Sequence, residues 1–99
     1  MRLAADQGNT TAQFFLATLY RDGQGVAQDY SEAVKFARLA ADQGDVYAQT
    51  IIGQFYENGD GVPQDLAEAA KWYGLAADQG GAEAQFYLGW LYDQGTGVA

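Results

Sequence analysis

The sequence predicts an all-α solenoid built from helix–loop–helix repeats. Three observations carry that prediction. The segment Arg2-Leu3-Ala4-Ala5-Asp6-Gln7-Gly8 returns unchanged at Arg38–Gly44, and again at Gly74–Gly80 with only its first residue altered. The resulting period of 36 residues lies within the range of about 20 to 50 that marks stacked repeats. Between these segments, apolar residues recur at helical spacing, and glycines punctuate each unit at the same places. The chain divides into residues 1–8 (the end of a preceding repeat), 9–44 (repeat 1), 45–80 (repeat 2) and 81–99 (a partial repeat 3).

Repeat 2 gives the clearest reading. Ala48, Ile51, Ile52, Phe55 and Tyr56 fall at i, i+3, i+4, i+7 and i+8, the stripe of an amphipathic helix. This first helix of the repeat, helix A, is predicted over residues 45–58 and stops at Asn58-Gly59, where glycine can take a left-handed cap. The loop Gly59–Gln64 follows, with Val62 as its anchor. Asp65 reads as an N-cap and Glu68, three residues on, as its capping-box partner. The second helix, helix B, is predicted over 65–79 and carries Leu66, Ala69, Ala70, Trp72, Tyr73, Leu75, Ala76 and Ala77. An apolar face that broad suits a helix enclosed between neighbours.

The flanking copies follow the same grammar. Helix A of repeat 1 is predicted over 9–22, with Ala12, Phe15, Leu16, Leu19 and Tyr20 in the stripe; helix B, over 29–43, starts behind Asp29 and Glu32. In the third copy, helix A is predicted over 81–94 with Ala84, Tyr87, Leu88, Leu91 and Tyr92, and the chain closes on Gly95-Thr96-Gly97-Val98-Ala99. With no helix B behind them, Tyr87, Leu88, Leu91 and Tyr92 are expected to be partly uncovered. The chain therefore reads as a segment of a longer array, or as a unit that pairs end to end with another copy.

Composition narrows the function classes. Thirteen acidic residues against 5 basic ones give a formal net charge of −8. That balance argues against phosphate-directed nucleic-acid binding and against an anionic membrane surface. It fits a solubilising exterior or a basic partner. Cysteine and histidine are both absent, which removes disulfides, thiolate metal sites and the commonest general base. No run of about 18 apolar residues is present to span a membrane, and Met1-Arg2-Leu3 leads directly into repeat sequence rather than an apolar signal core. A cytoplasmic setting is slightly favoured on these grounds.

Possible chemistry dissolves on inspection. Asp29/Glu32 and Asp65/Glu68 recur at helix starts and have no neighbouring nucleophile, so capping explains them better than acid–base catalysis. The Gly-x-Gly loops lack the preceding strand and the third glycine of a dinucleotide fingerprint. Glu57-Asn58-Gly59-Asp60-Gly61 offers too few carboxylates at alternating positions for a calcium loop. No metal, cofactor or catalytic residue is assigned.

Taken together, Ala48, Gln49, Ile52, Gly53, Tyr56, Gly59, Gly61, Val62, Asp65, Ala69, Trp72, Tyr73, Ala76, Ala77 and Gly80 resemble the Sel1-like repeat family, relatives of the tetratricopeptide repeats. The resemblance covers essentially the whole chain. It implies a right-handed solenoid, with Tyr20, Tyr56, Tyr92, Phe36, Trp72 and Tyr73 at packing positions. It also implies that small residues at Gly53, Ala17 and Gly89 let helix B approach closely.

Resemblance to tetratricopeptide arrays further implies a concave groove lined by helix A. The corresponding positions are Thr11, Phe14, Thr18 and Arg21; Tyr47, Thr50, Gln54 and Glu57; and Glu83, Phe86, Trp90 and Asp93. Phe14, Tyr47, Phe86 and Trp90 would then form an aromatic row. Such a row either supplies binding hot spots or, for Phe14 and Phe86, folds over the neighbouring helix A as inter-repeat packing. The expected function is a non-catalytic scaffold or adaptor that binds a peptide or protein segment. Apolar contact would come from the four aromatics and hydrogen bonds from Thr50 and Gln54, with polarity set by Arg21, Glu57 and Asp93. Self-association through helix 81–94 is the structural alternative. An acidic mimic that occupies another protein's nucleic-acid-binding surface is a third reading. The resemblance also raises β-lactam binding or hydrolysis, but the relatives that suggest it resemble disulfide-stapled repeats, and this chain has no cysteine.

Overall fold

The computed structural model describes residues 2–94. Six helices follow one another: α1 (Arg2–Asp6), α2 (Thr10–Asp22), α3 (Tyr30–Asp42), α4 (Val46–Asn58), α5 (Leu66–Asp78) and α6 (Ala82–Gln94). The helices α2, α4 and α6 are the A helices, and α3 and α5 the B helices. There is no strand among the described residues. The loop expected at Gly95–Ala99 lies outside them. Consecutive helices pack against one another into an elongated body of 41 × 25 × 16 Å, as expected when each repeat touches only its neighbours.

Local chemistry sets the boundaries. Asn9 accepts from the Ala12 N–H, and Asp45 from the N–H groups of Tyr47 and Ala48. Asp29 and Asp65 accept from the Glu32 and Glu68 N–H groups. The capping boxes expected at these two sites are only half formed. The N–H groups of Asp29 and Asp65 donate instead to the Tyr20 and Tyr56 carbonyls at 2.9 Å. This bond ties the start of each helix B to the end of its helix A, and the two glutamates turn toward Lys35 and Lys71. At the end of α4, Gly59 takes the left-handed conformation (φ 74°) and donates to the Phe55 carbonyl. Gly61 (φ 75°) passes so close to α3 that a Cβ there would lie 2.6 Å from the Tyr30 carbonyl oxygen. Val62 is partly buried against the same core.

Two apolar clusters run along the solenoid. The first gathers Leu16, Ala17, Phe36, Ala37, Ala40, Ile52, Phe55 and Trp72; the second gathers Ala69, Tyr73, Ala76, Ala84 and Leu91. The approach of α4 to α5 is close. A Cβ added to Gly53 would lie 2.5 Å from the Tyr73 ring, and Tyr73 is fully buried. In repeat 1 the corresponding residues are Ala17 and Ala37, both fully buried. The larger side chain on helix B is therefore matched by the smaller residue on helix A. The Trp72 indole N–H is buried without a hydrogen-bond partner. At the corresponding place in repeat 1, Phe36 needs none.

A relay of glutamine amides accompanies these contacts. Gln13 donates to the Ala5 carbonyl at 2.9 Å, and Gln49 and Gln85 donate to the Ala41 and Ala77 carbonyls, each at 3.3 Å. Gln43 and Gln79 in turn donate to the side-chain oxygens of Gln13 and Gln49, at 2.9 and 2.8 Å. Gln13 and Gln49 thus each link the preceding helix to the helix B of their own repeat. Gln13 and Gln49 are buried, so these bonds satisfy groups that would otherwise be costly to enclose.

Four packing expectations need correction. Tyr92 is 51% exposed, whereas Tyr20 stacks on Phe36 of the helix B that follows it and Tyr56 bonds Arg38 of the helix B that precedes it; no described helix B follows α6, and Gly74 stands on α5 where α3 has Arg38. Phe15 is exposed, with only the short α1 preceding it. Leu91, expected to be uncovered, is fully buried. It occupies the place of Phe55, which faces back toward Tyr30 at 6.2 Å, so Leu91 faces back into the α5 cluster. Gly89 meets no neighbour: a Cβ there would have nothing within 4 Å.

Replacing Gly53 with Leu should overpack the α4–α5 contact and lower stability by roughly 1–3 kcal/mol. Thermal and denaturant melting would read the loss, and an unchanged melt would contradict this helix register.

Candidate interaction groove

The A helices bring the expected groove residues together across repeats. Phe14, Thr18 and Arg21 from α2 meet Tyr47, Thr50, Ile51 and Gln54 from α4 around an open hollow of about 210 Å³, which Glu83 of α6 also lines. Phe14 and Tyr47 are in ring contact at 6.0 Å and 52°. Phe14 is partly buried against the core, while Tyr47 is 67% exposed. Phe14 therefore packs across the repeat boundary and supports Tyr47 from behind.

A larger hollow of about 430 Å³ lies beside the first, sharing Tyr47, Thr50 and Glu83 and adding Val46 and the turn Gln79–Ala82. Gly81 stands here where Asn9 and Asp45 cap the other A helices, and it has no side chain to accept a bond. The reason is steric: a Cβ at Gly81 would lie 2.8 Å from Val46 and 3.0 Å from the Ala76 carbonyl oxygen. Val46, Ile51 and the Gln79–Ala82 turn were not among the residues expected in the groove. Ile51 carries the packing stripe, and the turn enters through the stacking of α4 on α6, which no local pattern encodes.

The polar residues differ in what they can offer. Thr50 is buried and donates its hydroxyl to the Val46 carbonyl at 3.0 Å; Thr18 donates to the Phe15 carbonyl at 2.8 Å. Each hydroxyl can only accept a further bond. Gln54 is half-buried and makes no side-chain bond among the described residues. Arg21 holds Asp22 through two bonds, at 2.9 and 3.2 Å, and that bonded guanidinium keeps the Asp22 carboxyl below its ordinary value. Glu57 accepts from the Tyr73 hydroxyl at 2.7 Å, which commits one of its oxygens to the fold. Burial, and then the bond to Glu57, push the Tyr73 phenol well above its ordinary value.

On α6, Phe86 is 68% and Trp90 46% exposed, and Asp93 is exposed. Among the described residues, the Phe86 ring contacts only that of its neighbour Tyr87, edge-on at 5.6 Å. The expected aromatic row is therefore two groups, the Phe14–Tyr47 pair and the exposed α6 rings, with Glu83 between them. Among the described residues no group of three or more Asp or Glu side chains is placed to hold a metal ion, and no helix is long and apolar enough to cross a membrane.

Stacked helical hairpins with a side-chain-lined hollow along the A helices define a helical-repeat solenoid. The repeat is of the Sel1 type: a Sel1 repeat profile matches residues 10–45, 46–81 and 82–99, and the chain belongs to that family. Members of this family generally act as non-catalytic scaffolds that mediate protein–protein interaction. The chain is similar to a protective antigen present in uropathogenic Escherichia coli strains that displays an SLR fold, with 44% identity and a TM-score of 0.96 over 99% of this chain and 21% of that one. It is similar to a Sel1 repeat protein from Oxalobacter formigenes, with 38% identity and a TM-score of 0.89 over 93% and 38% of the two chains. It also resembles cysteine-rich protein B of Helicobacter pylori, with 25% identity and a TM-score of 0.80 over 86% and 64%. The chain thus spans only about a fifth and two fifths of the first two relatives. No curated protein matches it.

The Tyr73–Glu57 bond makes a pH prediction. The folded phenol keeps its proton where the unfolded one, with a pKa of about 10, releases it. Stability should therefore fall as the pH rises above about 10. Urea melts of wild type and Tyr73→Phe across that range should diverge, with the variant losing less. Parallel curves would show that Tyr73 contributes nothing to the alkaline loss.

Proposed function

We propose that this chain is a protein-interaction scaffold that binds an extended peptide or protein segment along its A-helix groove. The observation that supports this best is the convergence of Phe14, Thr18, Arg21, Tyr47, Thr50 and Gln54 on one hollow that leaves the Tyr47 ring exposed. An aromatic ring held from behind and open in front can bury area with little ordering cost, as interface anchors do. Trp90 and Phe86 extend the apolar contact onto α6. The backbone of the bound segment would donate to the Gln54 carbonyl oxygen and the Thr50 hydroxyl. Arg21, the free oxygen of Glu57, and Asp93 would set the polarity along the groove, and Glu83 adds acidity beside Tyr47. A segment carrying an apolar residue next to a basic one is the best match to this lining.

Tyr47→Ala and Trp90→Ala are the variants of choice, because both rings are largely outside the core. A peptide selected from a display library against the folded chain should bind the double variant at least about tenfold more weakly, the loss of one interface anchor or more. Amide shifts on binding should cluster at Phe14, Thr18, Tyr47 and Gln54. Shifts confined to α3 and α5, with unchanged affinity of the variant, would move the site off the groove.

A further inference from the structure

The joint between repeats 2 and 3 differs chemically from the joint between repeats 1 and 2. At the first joint Phe14 of α2 meets Tyr47 of α4 in ring contact at 6.0 Å, and Asp45 caps α4 with its carboxylate. One period later the corresponding residues are Thr50, Glu83 and Gly81. A hydroxyl and a carboxylate thus replace the aromatic pair, and the capping side chain is absent. A hollow of about 430 Å³ stands there, within the range of about 300 to 1,000 Å³ typical of clefts that take a ligand. Its wall on the α4 side is the Tyr47 ring, where repeat 1 has Thr11.

The side chains that line this hollow present acceptors and an aromatic face. The Thr50 hydroxyl gives its hydrogen to the Val46 carbonyl, so only its lone pairs are left to offer. Gln79 commits its side-chain nitrogen to the Gln49 oxygen at 2.8 Å, which leaves its own oxygen. The main-chain N–H groups of Gly80 and Gly81 are taken by the Ala77 and Ala76 carbonyls, at 2.9 and 3.0 Å. Glu83 is exposed and makes no ion pair or side-chain hydrogen bond among the described residues. No Lys or Arg lines the hollow. The feature least favourable to a cation is the positive end of the α6 dipole, and Glu83, in the first turn of that helix, carries the charge that offsets it. A planar guanidinium matches such a lining, because it stacks on an aromatic face and forks onto a carboxylate. An ammonium is a compact, strongly hydrated point charge and uses less of it.

We propose that this hollow is a specificity pocket for an arginine side chain of the segment bound along the A-helix groove. The proposal deepens the groove reading and rests on it for the occupant being a polypeptide. The guanidinium lies on the Tyr47 ring and donates to the Glu83 carboxylate, and the Thr50 hydroxyl and Gln79 oxygen take its remaining N–H groups. Val46 and Ala82 flank the aliphatic stem. The smaller hollow, which shares Tyr47, Thr50 and Glu83, offers Phe14 and Ile51 to the neighbouring apolar residue of the segment. The formal charge of −8 favours the same kind of partner, a basic one. At the first joint the Phe14–Tyr47 contact occupies the corresponding place, so the pocket belongs to the second joint.

The probe is N-acetyl-arginine methylamide, an arginine with its main chain blocked as in a peptide, titrated into the intact chain and followed by amide NMR shifts. It should bind saturably, with a dissociation constant of about 1 mM or below, and shift Tyr47, Thr50 and residues 79–83. The lysine analogue should bind about threefold or more weakly. The citrulline analogue, which keeps the shape without the charge, should bind about tenfold or more weakly. Glu83→Gln should weaken the arginine probe by about tenfold and bring it level with citrulline. Circular dichroism should show that variant folded, since Glu83 has no partner to lose. No saturation, shifts elsewhere, equal binding of the arginine and citrulline probes, or indifference to Glu83→Gln would overturn the proposal. So would tighter binding of free arginine than of the blocked form, because the hollow would then be a small-molecule site. A preference for N-acetyl-glutamate methylamide would also overturn it, because the start of α6 would then hold an anion. Peptides selected against the groove should contain arginine and lose about tenfold on its replacement by citrulline. Selected peptides that shift Phe14, Thr18 and Gln54 without needing arginine would leave the groove reading standing and overturn this one. Blocked arginine bound at the hollow, with no peptide bound along α2 and α4, would overturn the groove reading and, with it, the segment as occupant.

Discussion

The structure depends above all on how closely each helix A can approach the helix B that covers it. Between α4 and α5 that distance is set by Gly53 against the Tyr73 ring. The contact fixes where Tyr73 lies, and Tyr73 in turn stacks on Tyr87 of the next repeat at 5.4 Å and holds Glu57 through its hydroxyl. One missing side chain thus positions an aromatic residue that serves two repeats and helps orient one end of the groove. Because a repeat protein has no single core, stability is a sum of such joints.

Polar bonds give these joints their register. Apolar contact alone would tolerate sliding along the helix axis, whereas the glutamine relay permits only one offset between successive helices. Gln49 must reach the Ala41 carbonyl and receive Gln79 at once. The bonds from Asp29 and Asp65 to the Tyr20 and Tyr56 carbonyls act similarly within each hairpin. Tyr47 can therefore stand exposed on a rigid base, as the recognition role proposed for it requires.

Much of this was legible in the sequence, for identifiable reasons. The repeated Ala-Ala-Asp-Gln-Gly segment and the helical stripes located α2 to α6 to within a residue or two, because caps and glycine stops are local signals. The groove positions Phe14, Thr18, Tyr47 and Gln54 followed from a related family's geometry, and they do meet around one hollow. What the sequence did not disclose depends on neighbours in space. The exposure of Tyr92 and the burial of Leu91 turn on which side of α6 has a covering helix. The engagement of Thr50 by the Val46 carbonyl and of Glu57 by Tyr73 depends on rotamers and on contacts 16 residues apart in the second case. The glutamine relay was invisible because its partners lie 30 residues apart. The glycine at position 81 could only be explained once Val46 was seen beside it.

The claim that stability resides in joints between neighbouring helices can be tested most directly by native-state hydrogen exchange resolved to single amides. Enclosed on both sides, α4 and the central turns of α5 should exchange most slowly, and α1 and α6 fastest, with a graded series of opening free energies. Equal protection in all six helices would mean that the chain opens only as a whole, and would contradict the account.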